Sequence, residues 1–260
     1  MSACTLCTSL SPRKEARSAQ TLAVESWRAR GWRVISLNRQ EEAEVLRHDY
    51  AALAEIRTCG RSTPGKSRAL VPVAELIQLG LAETQGQYAV ILNADIQLVH
   101  PCPAKELLLR AGPGLTMIRR WEVGGPGDPW EGVPNPWGWD GAVIRGALAN
   151  GFRNPKFLLG LPWWDYWLPG KALHLGWPVR CWEGRIALHP RHPELWSEHD
   201  RATLATEILR EIGVGPWRRI WRRFLGPKAL RKIYGYHNHL AGHVRTWVNT
   251  RAEKVDPLGG

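Results

Sequence analysis

Short apolar runs alternate with longer amphipathic runs along the first part of the chain, and this alternation limits the folds open to it. The apolar runs have the length and β-branched content of strands and span residues 5–12, 32–38 and 88–96. The amphipathic runs have apolar residues at helical spacing and span residues 15–31, 41–56 and 71–86. Strands separated by helices predict an α/β domain with a mostly parallel sheet, in which ligands bind beyond the carboxyl ends of the strands.

The third apolar run ends on a carboxylate. Residues 88–92 lead directly into Asn93-Ala94-Asp95. An ionised Asp beside a buried strand is costly unless it is paired, hydrogen-bonded or bound to a metal. Asp95 either caps the following turn or, together with Asn93, faces a hard divalent cation such as Mn²⁺ or Mg²⁺. The sequence leaves both interpretations open.

Composition divides the chain into a larger and a smaller part. The 260 residues are 44% hydrophobic, which is enough for one sizeable core with an appendage. We predict a catalytic domain over residues 1–205 and a basic, Trp/Arg-rich helical extension over 206–260. Residues 217–225 combine one apolar stripe with a set of arginines, namely Arg218, Arg219, Arg222 and Arg223. The stripe can pack on the domain or lie in a membrane interface, and the arginines can bind phosphates.

The formal net charge is +11, with 35 basic against 24 acidic residues. A surplus of this size favours polyanionic partners: nucleic acid, an anionic membrane surface or phosphorylated substrates. It is also compatible with a role in solubility alone. The sequence has no long apolar run and no signal-peptide pattern, so we expect a soluble, intracellular and cytoplasmic protein. Five scattered cysteines argue against a disulfide framework.

Several segments occur in an order that carries a family resemblance. They are "TSLSPRKEARSAQTLAVESWRARGWRVISLN", "NADIQL", "GWDGAVIR", "LGLPWWDYWL" and "ALHPRHPELWSE", within residues 4–200. The chain resembles nucleotide-sugar-dependent glycosyltransferases of the GT-A type. The resemblance implies a GT-A-like, Rossmann-like fold, a nucleotide diphosphate sugar as donor (a UDP-sugar is favoured), and Mn²⁺ or Mg²⁺ as cofactor.

The resemblance also implies roles for residues on the donor side. Asp95 matches the last carboxylate of the family's metal-binding DxD motif, whereas Asn93 stands where the first Asp would be. His189 matches a late histidine that completes the metal shell, and it is preferred to His192. Ser9 and Pro12 would flank the nucleotide. Arg68, or alternatively Lys66, would neutralise the phosphates.

Two further carboxylates are candidates for the chemistry. Asp165 lies among tryptophans, where an acid is expected to have a raised pKa unless it is paired. By resemblance it would be the general base of an inverting transfer; the alternative is a helix N-cap packed among tryptophans. Asp140, in "GWDGAVIR", would touch the donor sugar or the acceptor, or else cap a turn. Trp163 and Trp164 are candidates for an acceptor surface, together with the arginines of residues 217–225. The alternative is that tryptophan, with 15 copies against 3 of phenylalanine, simply fills the core.

The acceptor has two candidate classes. One is nucleic acid, for instance a hydroxymethylated pyrimidine in viral DNA, with arginines on the phosphates and a tryptophan near a flipped base. The other is a surface glycan or lipid-linked sugar, with the basic helix in peripheral contact with a membrane. A third hypothesis comes from another class of protein. It is a non-catalytic nucleic-acid-binding protein on a degenerate transferase fold.

Overall fold

The chain is described by a computed structural model over residues 4–60, 70–99, 103–124, 132–192, 196–212 and 242–256. The strands in this part are β1 (Cys4–Thr8), β2 (Trp32–Asn38), β3 (Glu55–Thr58), β4 (Tyr88–Leu92), β5 (Gln97–Leu98), β6 (Leu115–Val123), β7 (Val133–Arg145), β8 (Val179–Pro190) and β9 (Glu253–Val255). The α-helices are α1 (Lys14–Arg28), α2 (Gln40–Tyr50), α3 (Val73–Glu83), α4 (Ala104–Arg110), α5 (Trp164–His174) and α6 (Glu198–Glu211). A 3₁₀-helix covers Gly146–Gly151, and residues 242–251 are helical.

The strands form one mixed sheet in the order β3-β2-β1-β4-β7-β6-β8-β5, and β9 pairs with β8. One half, β3-β2-β1-β4, is parallel throughout. In the other half β7 runs antiparallel to both β4 and β6, and β6 is parallel to β8. The predicted α/β class with a mostly parallel sheet flanked by helices is therefore confirmed. Because β4, β6 and β8 run in one direction, their carboxyl ends meet at one edge of the sheet.

The alternating side chains of the central strands supply two cores, one on each face of the sheet. Leu6, Val34 and Val90 belong to one apolar cluster, whereas their sequence neighbours Cys7, Ile35 and Ile91 belong to the other. The second cluster also takes most of the described tryptophans of the central region, and there the ring of Trp167 stacks on that of Phe157 at 4.6 Å between centroids. Tryptophan does serve as the main large core residue there.

The sequence prediction of one helix over residues 41–56 was wrong at its carboxyl end. Helix α2 ends at Tyr50, and β3 then pairs in parallel with β2. The buried side chain of β3 is Ile56, between more exposed neighbours. This strand is short, and it forms because β2 offers a free edge. The helical periodicity of the sequence contains no information about that edge.

The described part of the predicted extension packs on the sheet domain. The boundary predicted between residues 205 and 206 falls inside α6, and β9 extends the sheet through β8. In the helical residues 242–251, Val244 and Val248 are buried. The apolar stripe of residues 217–225 and its arginines lie outside the described residues.

Within the described residues, no helix is both long enough and apolar enough to cross a membrane.

Candidate functional site

Asp95 lies in a turn at the carboxyl edge of the sheet. Strand β4 ends at Leu92, and two residues after Asp95 the chain enters β5, which pairs with β8 at Gln97 and Leu188. This pairing brings Asp95 to the end of β8. There the Asp95 Oδ2 atom lies 3.6 Å from Nε2 of His189 and 3.0 Å from Nε2 of His192.

The three side chains form a group that can hold a metal. One ligand atom from each of Asp95, His189 and His192 lies within 4.8 Å of the others. The Asp95 side chain is about three-quarters buried. Burial opposes its ionisation, but the close contacts with the two imidazoles outweigh that effect and hold the pKa of Asp95 below its usual range. An ionised carboxylate and two imidazoles are a donor set that suits divalent transition metals. The residues present therefore fit a metal, and the two imidazoles suit Mn²⁺ better than Mg²⁺.

Asn93 joins this group to a second cluster, on β7 and β6. The backbone N–H of Asn93 donates to the Asp140 carbonyl at 2.9 Å, and its Nδ2 donates to Asp140 Oδ1 at 2.9 Å. Nη1 of Arg120 donates to the other Asp140 oxygen at 2.8 Å. Gly138 leaves the room for this guanidinium, because a Cβ there would lie 2.5 Å from Nε of Arg120. The Asp140 carboxylate is thus held from two sides by specific donors.

The charged groups of this second cluster favour one another's ionised forms. The countercharge of Asp140 raises the pKa of Arg120 above its usual range. Arg120 also bonds Glu122 at 3.2 Å. Burial opposes ionisation of Glu122, but the hydrogen bond from Asn135 and the charge of Arg120 keep its pKa low. The sequence gives the turn-cap alternative for Asp140, but here its carboxylate is an ion-pair partner.

Asp165 lies in the first turn of α5, close enough for the charges of Asp140 and Arg120 to act on it. Burial, and then the charge of Asp140, raise the pKa of Asp165 to about 7. This bears out the expectation of a raised pKa. Trp163, just before the helix, has left-handed backbone with φ of 77°, a conformation that costs free energy in a residue other than glycine. Such strain is concentrated at functional sites in proteins.

The loop after β1 lies at the same edge of the sheet. Thr8 Oγ1 donates to the Leu92 carbonyl at 2.8 Å, which ties the end of β1 to the end of β4. The loop is then fixed at Leu10, whose N–H donates to Ser36 Oγ at 2.9 Å and whose carbonyl accepts from Asn38 at 2.7 Å. The predicted nucleotide-binding residues Ser9 and Pro12 are partly exposed in this loop.

Other predicted site residues are not brought to this edge as accessible groups. Trp163 and Trp164 are 1% and 2% exposed, so both are core residues here and neither presents a free ring face to an acceptor. Arg68 and the alternative Lys66 lie outside the described residues. So do Arg218, Arg219, Arg222 and Arg223.

Sequence reasoning ranked one participant in the site too low and missed two others. His192 was set below His189, although its imidazole is the closer of the two to Asp95. The pair in "HPRH" was a usable signal for both. Arg120 had no such signal, because it stands in an ordinary strand pattern and only the pairing of β6 with β7 brings it to Asp140. Arg245 was missed because it lies in residues that the sequence analysis assigned to the extension and not to the catalytic domain.

Removing the countercharge of Arg120 is expected to destabilise the domain. Asp140→Asn leaves the guanidinium partly buried without its main partner, and we expect a loss of about 3 kcal/mol in the free energy of unfolding. Urea unfolding at pH 7 measures it. Asp49→Asn is the matched control, because Asp49 pairs with the exposed Arg17 and its loss should cost about 0.5 kcal/mol. Equal losses in the two variants would contradict the structural role given to Asp140.

Comparisons with known proteins do not assign a family. No model of a known protein family matches the chain, and no curated protein matches it at a significant level.

Proposed function

We propose that this chain is a GT-A-like glycosyltransferase that moves a sugar from a nucleotide diphosphate donor, with a UDP-sugar favoured, to a hydroxyl acceptor with inversion. One observation carries the proposal. A group able to hold a divalent metal, Asp95 with His189 and His192, stands at the same sheet edge as Asp165, a carboxyl group with a pKa near 7. Asn93, Asp140 and Arg120 connect the two.

The donor would occupy the parallel half of the sheet, beyond the carboxyl ends of β1 and β4. The loop after β1 is fixed by hydrogen bonds to Ser36 and Asn38, so Ser9 and Pro12 are presented by a rigid segment. A preorganised loop lowers the entropic cost of binding a nucleotide. Arg68 would act on the phosphates.

Asp95, His189 and His192 would hold Mn²⁺, with Asn93 beside them on the donor. Bound there, the cation would stabilise negative charge on the leaving diphosphate. His189 Nε2 faces Asp95, whereas its Nδ1 is buried with no hydrogen-bond partner among the described residues. The imidazole therefore makes its contacts through the nitrogen that faces the carboxylate, which is the one a metal would use.

Asp165 would serve as the general base. The acceptor hydroxyl oxygen attacks the anomeric carbon, the bond from that carbon to the diphosphate oxygen breaks, and the hydroxyl proton passes to the Asp165 carboxylate. A pKa near the working pH is what efficient general-base catalysis requires. The charge of Asp140 would raise the pKa of Asp165, and its fixed carboxylate would orient the sugar.

The net charge of +11 favours an anionic acceptor, and we propose a hydroxymethylated pyrimidine in DNA as the preferred acceptor. A surface glycan or lipid-linked sugar at a membrane is the second acceptor. Since Trp163 and Trp164 are buried, the acceptor surface would depend on cations rather than on these rings. If no sugar is transferred, the remaining hypothesis is a non-catalytic nucleic-acid-binding protein.

Calorimetric titration with UDP and GDP, with and without Mn²⁺, tests the proposal. We expect UDP to bind only with the metal present. UDP-sugars are then offered with hydroxymethylated DNA, unmodified DNA and lipid-linked sugar, and the product is identified by mass. Transfer to the modified DNA alone supports the first acceptor. DNA binding with neither nucleotide binding nor transfer would overturn the enzyme assignment.

A further inference from the structure

The helical residues 242–251 reach the proposed site through Arg245. Its guanidinium carbon lies 4.4 Å from the ring centroid of Trp163 and 5.1 Å from that of Tyr166. These two aromatic residues stand on either side of Asp165 in the sequence. A guanidinium at such distances from a ring is attracted by the π-electrons of its face. Arg245 thus contacts two aromatic residues, one two positions before and one directly after the proposed base.

The helical residues that carry Arg245 are anchored to the domain. Val244 and Val248 are buried. The Oδ1 atom of Asn249 lies 3.4 Å from Nη2 of Arg119, a buried residue of β6 that also binds Glu183. Arg245 is therefore supplied by a packed element and not by a free tail, which fixes its guanidinium on the rings.

The start of α5 needs such support. Trp163 holds a left-handed backbone conformation that surrounding contacts must stabilise. One such contact is the hydrogen bond from Trp163 Nε1 to the Arg201 carbonyl at 2.9 Å. Another is Arg245 on the ring face. Both contacts contribute to the position of the first turn of α5, which carries Asp165.

The charged groups that act on Asp165 come from three neighbouring elements. Asp140 of β7 repels its negative charge, whereas Arg120 of β6 and Arg245 of residues 242–251 attract it. The hydroxyl of Tyr166 on α5 lies nearby as well. Arg120 is already paired with Asp140. Among the described residues no carboxylate lies within ion-pair distance of Arg245, and its Nε is buried without a hydrogen-bond partner. Asp165 is one of the carboxylates beyond ion-pair distance, so the charge of Arg245 acts on it at longer range, from its place on the rings of Trp163 and Tyr166.

We propose that Arg245 is a positioning residue for the transfer reaction: from the C-terminal segment it holds the rings of Trp163 and Tyr166, and with them the first turn of α5 that carries Asp165. This inference rests on the proposed function, in which Asp165 is the base. It follows that residues 242–251 are part of the catalytic unit. A chain without them would lose the cation that contacts the rings of Trp163 and Tyr166.

The full-length chain labelled with ¹³C at Asp carboxyl carbons tests this directly. The midpoint of the Asp165 titration is measured by NMR in wild type, Arg245→Met and Arg245→Lys. We expect a rise of about one pH unit in Arg245→Met, because an attracting charge is lost, and a largely restored midpoint in Arg245→Lys. Arg251→Met is the matched control. Arg251 is an exposed cation of the same helical residues, so the midpoint should not move.

Transfer kinetics give the second readout. In Arg245→Met the pH at which the rate reaches half its maximum should move to higher pH by the same amount, with the KM for the nucleotide sugar unchanged. An unmoved Asp165 midpoint in folded Arg245→Met overturns the inference, and so does an equal change in Arg245→Lys. If the midpoint moves as expected while the wild type transfers no sugar under any condition, the coupling of Arg245 to Asp165 stands and the proposed function fails. The two failures are thus distinguishable.

Discussion

Asp95→Ala is expected to abolish the metal-dependent binding of UDP. The carboxylate is the one anionic member of the group that Asp95 forms with His189 and His192. Its loss removes the charge that a divalent cation needs and leaves two imidazoles whose rings lie 5.0 Å apart. We expect at least about 100-fold weaker binding of UDP in the presence of Mn²⁺, which corresponds to a loss of about 2.7 kcal/mol. Calorimetric titration of UDP at saturating Mn²⁺ measures it.

Asp49→Ala is the matched control for that experiment. Asp49 also contacts an imidazole, that of His48, at 3.2 Å, but this pair lies on the surface of α2, away from the carboxyl edge of the sheet. Its loss should leave the affinity for UDP unchanged. The idea of a metal site at Asp95 fails if both variants bind UDP with Mn²⁺ as the wild type does. A transition-metal titration without nucleotide adds an independent readout, in which His192→Ala should weaken Mn²⁺ binding as well.

Asp165→Asn is expected to lower the rate of sugar transfer by about 10²–10⁴-fold while nucleotide binding is retained. The amide has nearly the same shape as the carboxylate but cannot accept the acceptor proton. Steady-state kinetics with a UDP-sugar and hydroxymethylated DNA measure this, with calorimetry of UDP in parallel. A rate within a few-fold of the wild type would remove Asp165 as the base and reopen a retaining mechanism.

The same variant should make the protein more stable at alkaline pH. Burial and Asp140 raise the pKa of Asp165 to about 7 in the folded state, well above its unfolded value. The folded state therefore favours the protonated form. The stability associated with this group is fully present below the unfolded pKa and is lost as the pH rises through 7. Asp165→Asn never carries the charge, so we expect its Tm to exceed that of the wild type by about 5 °C at pH 8.5 and to match it near pH 4.

Asp200→Asn is a suitable control for both measurements. Asp200 also stands in the first turn of a helix, α6, but there it forms a capping box with Ser197. Its amide variant keeps the capping hydrogen bonds but loses the negative charge at the start of the helix, so we expect a small decrease in Tm and unchanged transfer. If Asp165→Asn gave the same Tm difference from the wild type at pH 4 and pH 8.5, the raised pKa would be excluded.

Features encoded within short segments were predictable from the sequence. The alternation of apolar and amphipathic runs gave the α/β class, because strand and helix periodicities are properties of adjacent residues. Asp95 was singled out because a carboxylate follows an apolar strand, and Asp165 because it stands among tryptophans. Both arguments need only the cost of placing a charge in apolar surroundings.

Which residues come together in the candidate site could not be predicted from short segments. His192 lies 97 residues from Asp95, and Asn93 lies 47 from Asp140. Their meeting depends on β5 pairing with β8 and on β7 pairing with β4. Likewise β3 is a strand only because β2 offers an edge, and Trp163 and Trp164 are core residues only because the sheet and helices close over them.

What the sequence by itself determined was therefore the strands and helices with a clear periodicity of their own, and which of their ends carry unusual charge. Tertiary structure alone decided which of those ends meet, and that Arg120 and Arg245 act on the two aspartates. The reason is physical. Periodicity and propensity act between neighbours in the chain, whereas strand order and the packing of distant segments depend on the free energy of the whole fold.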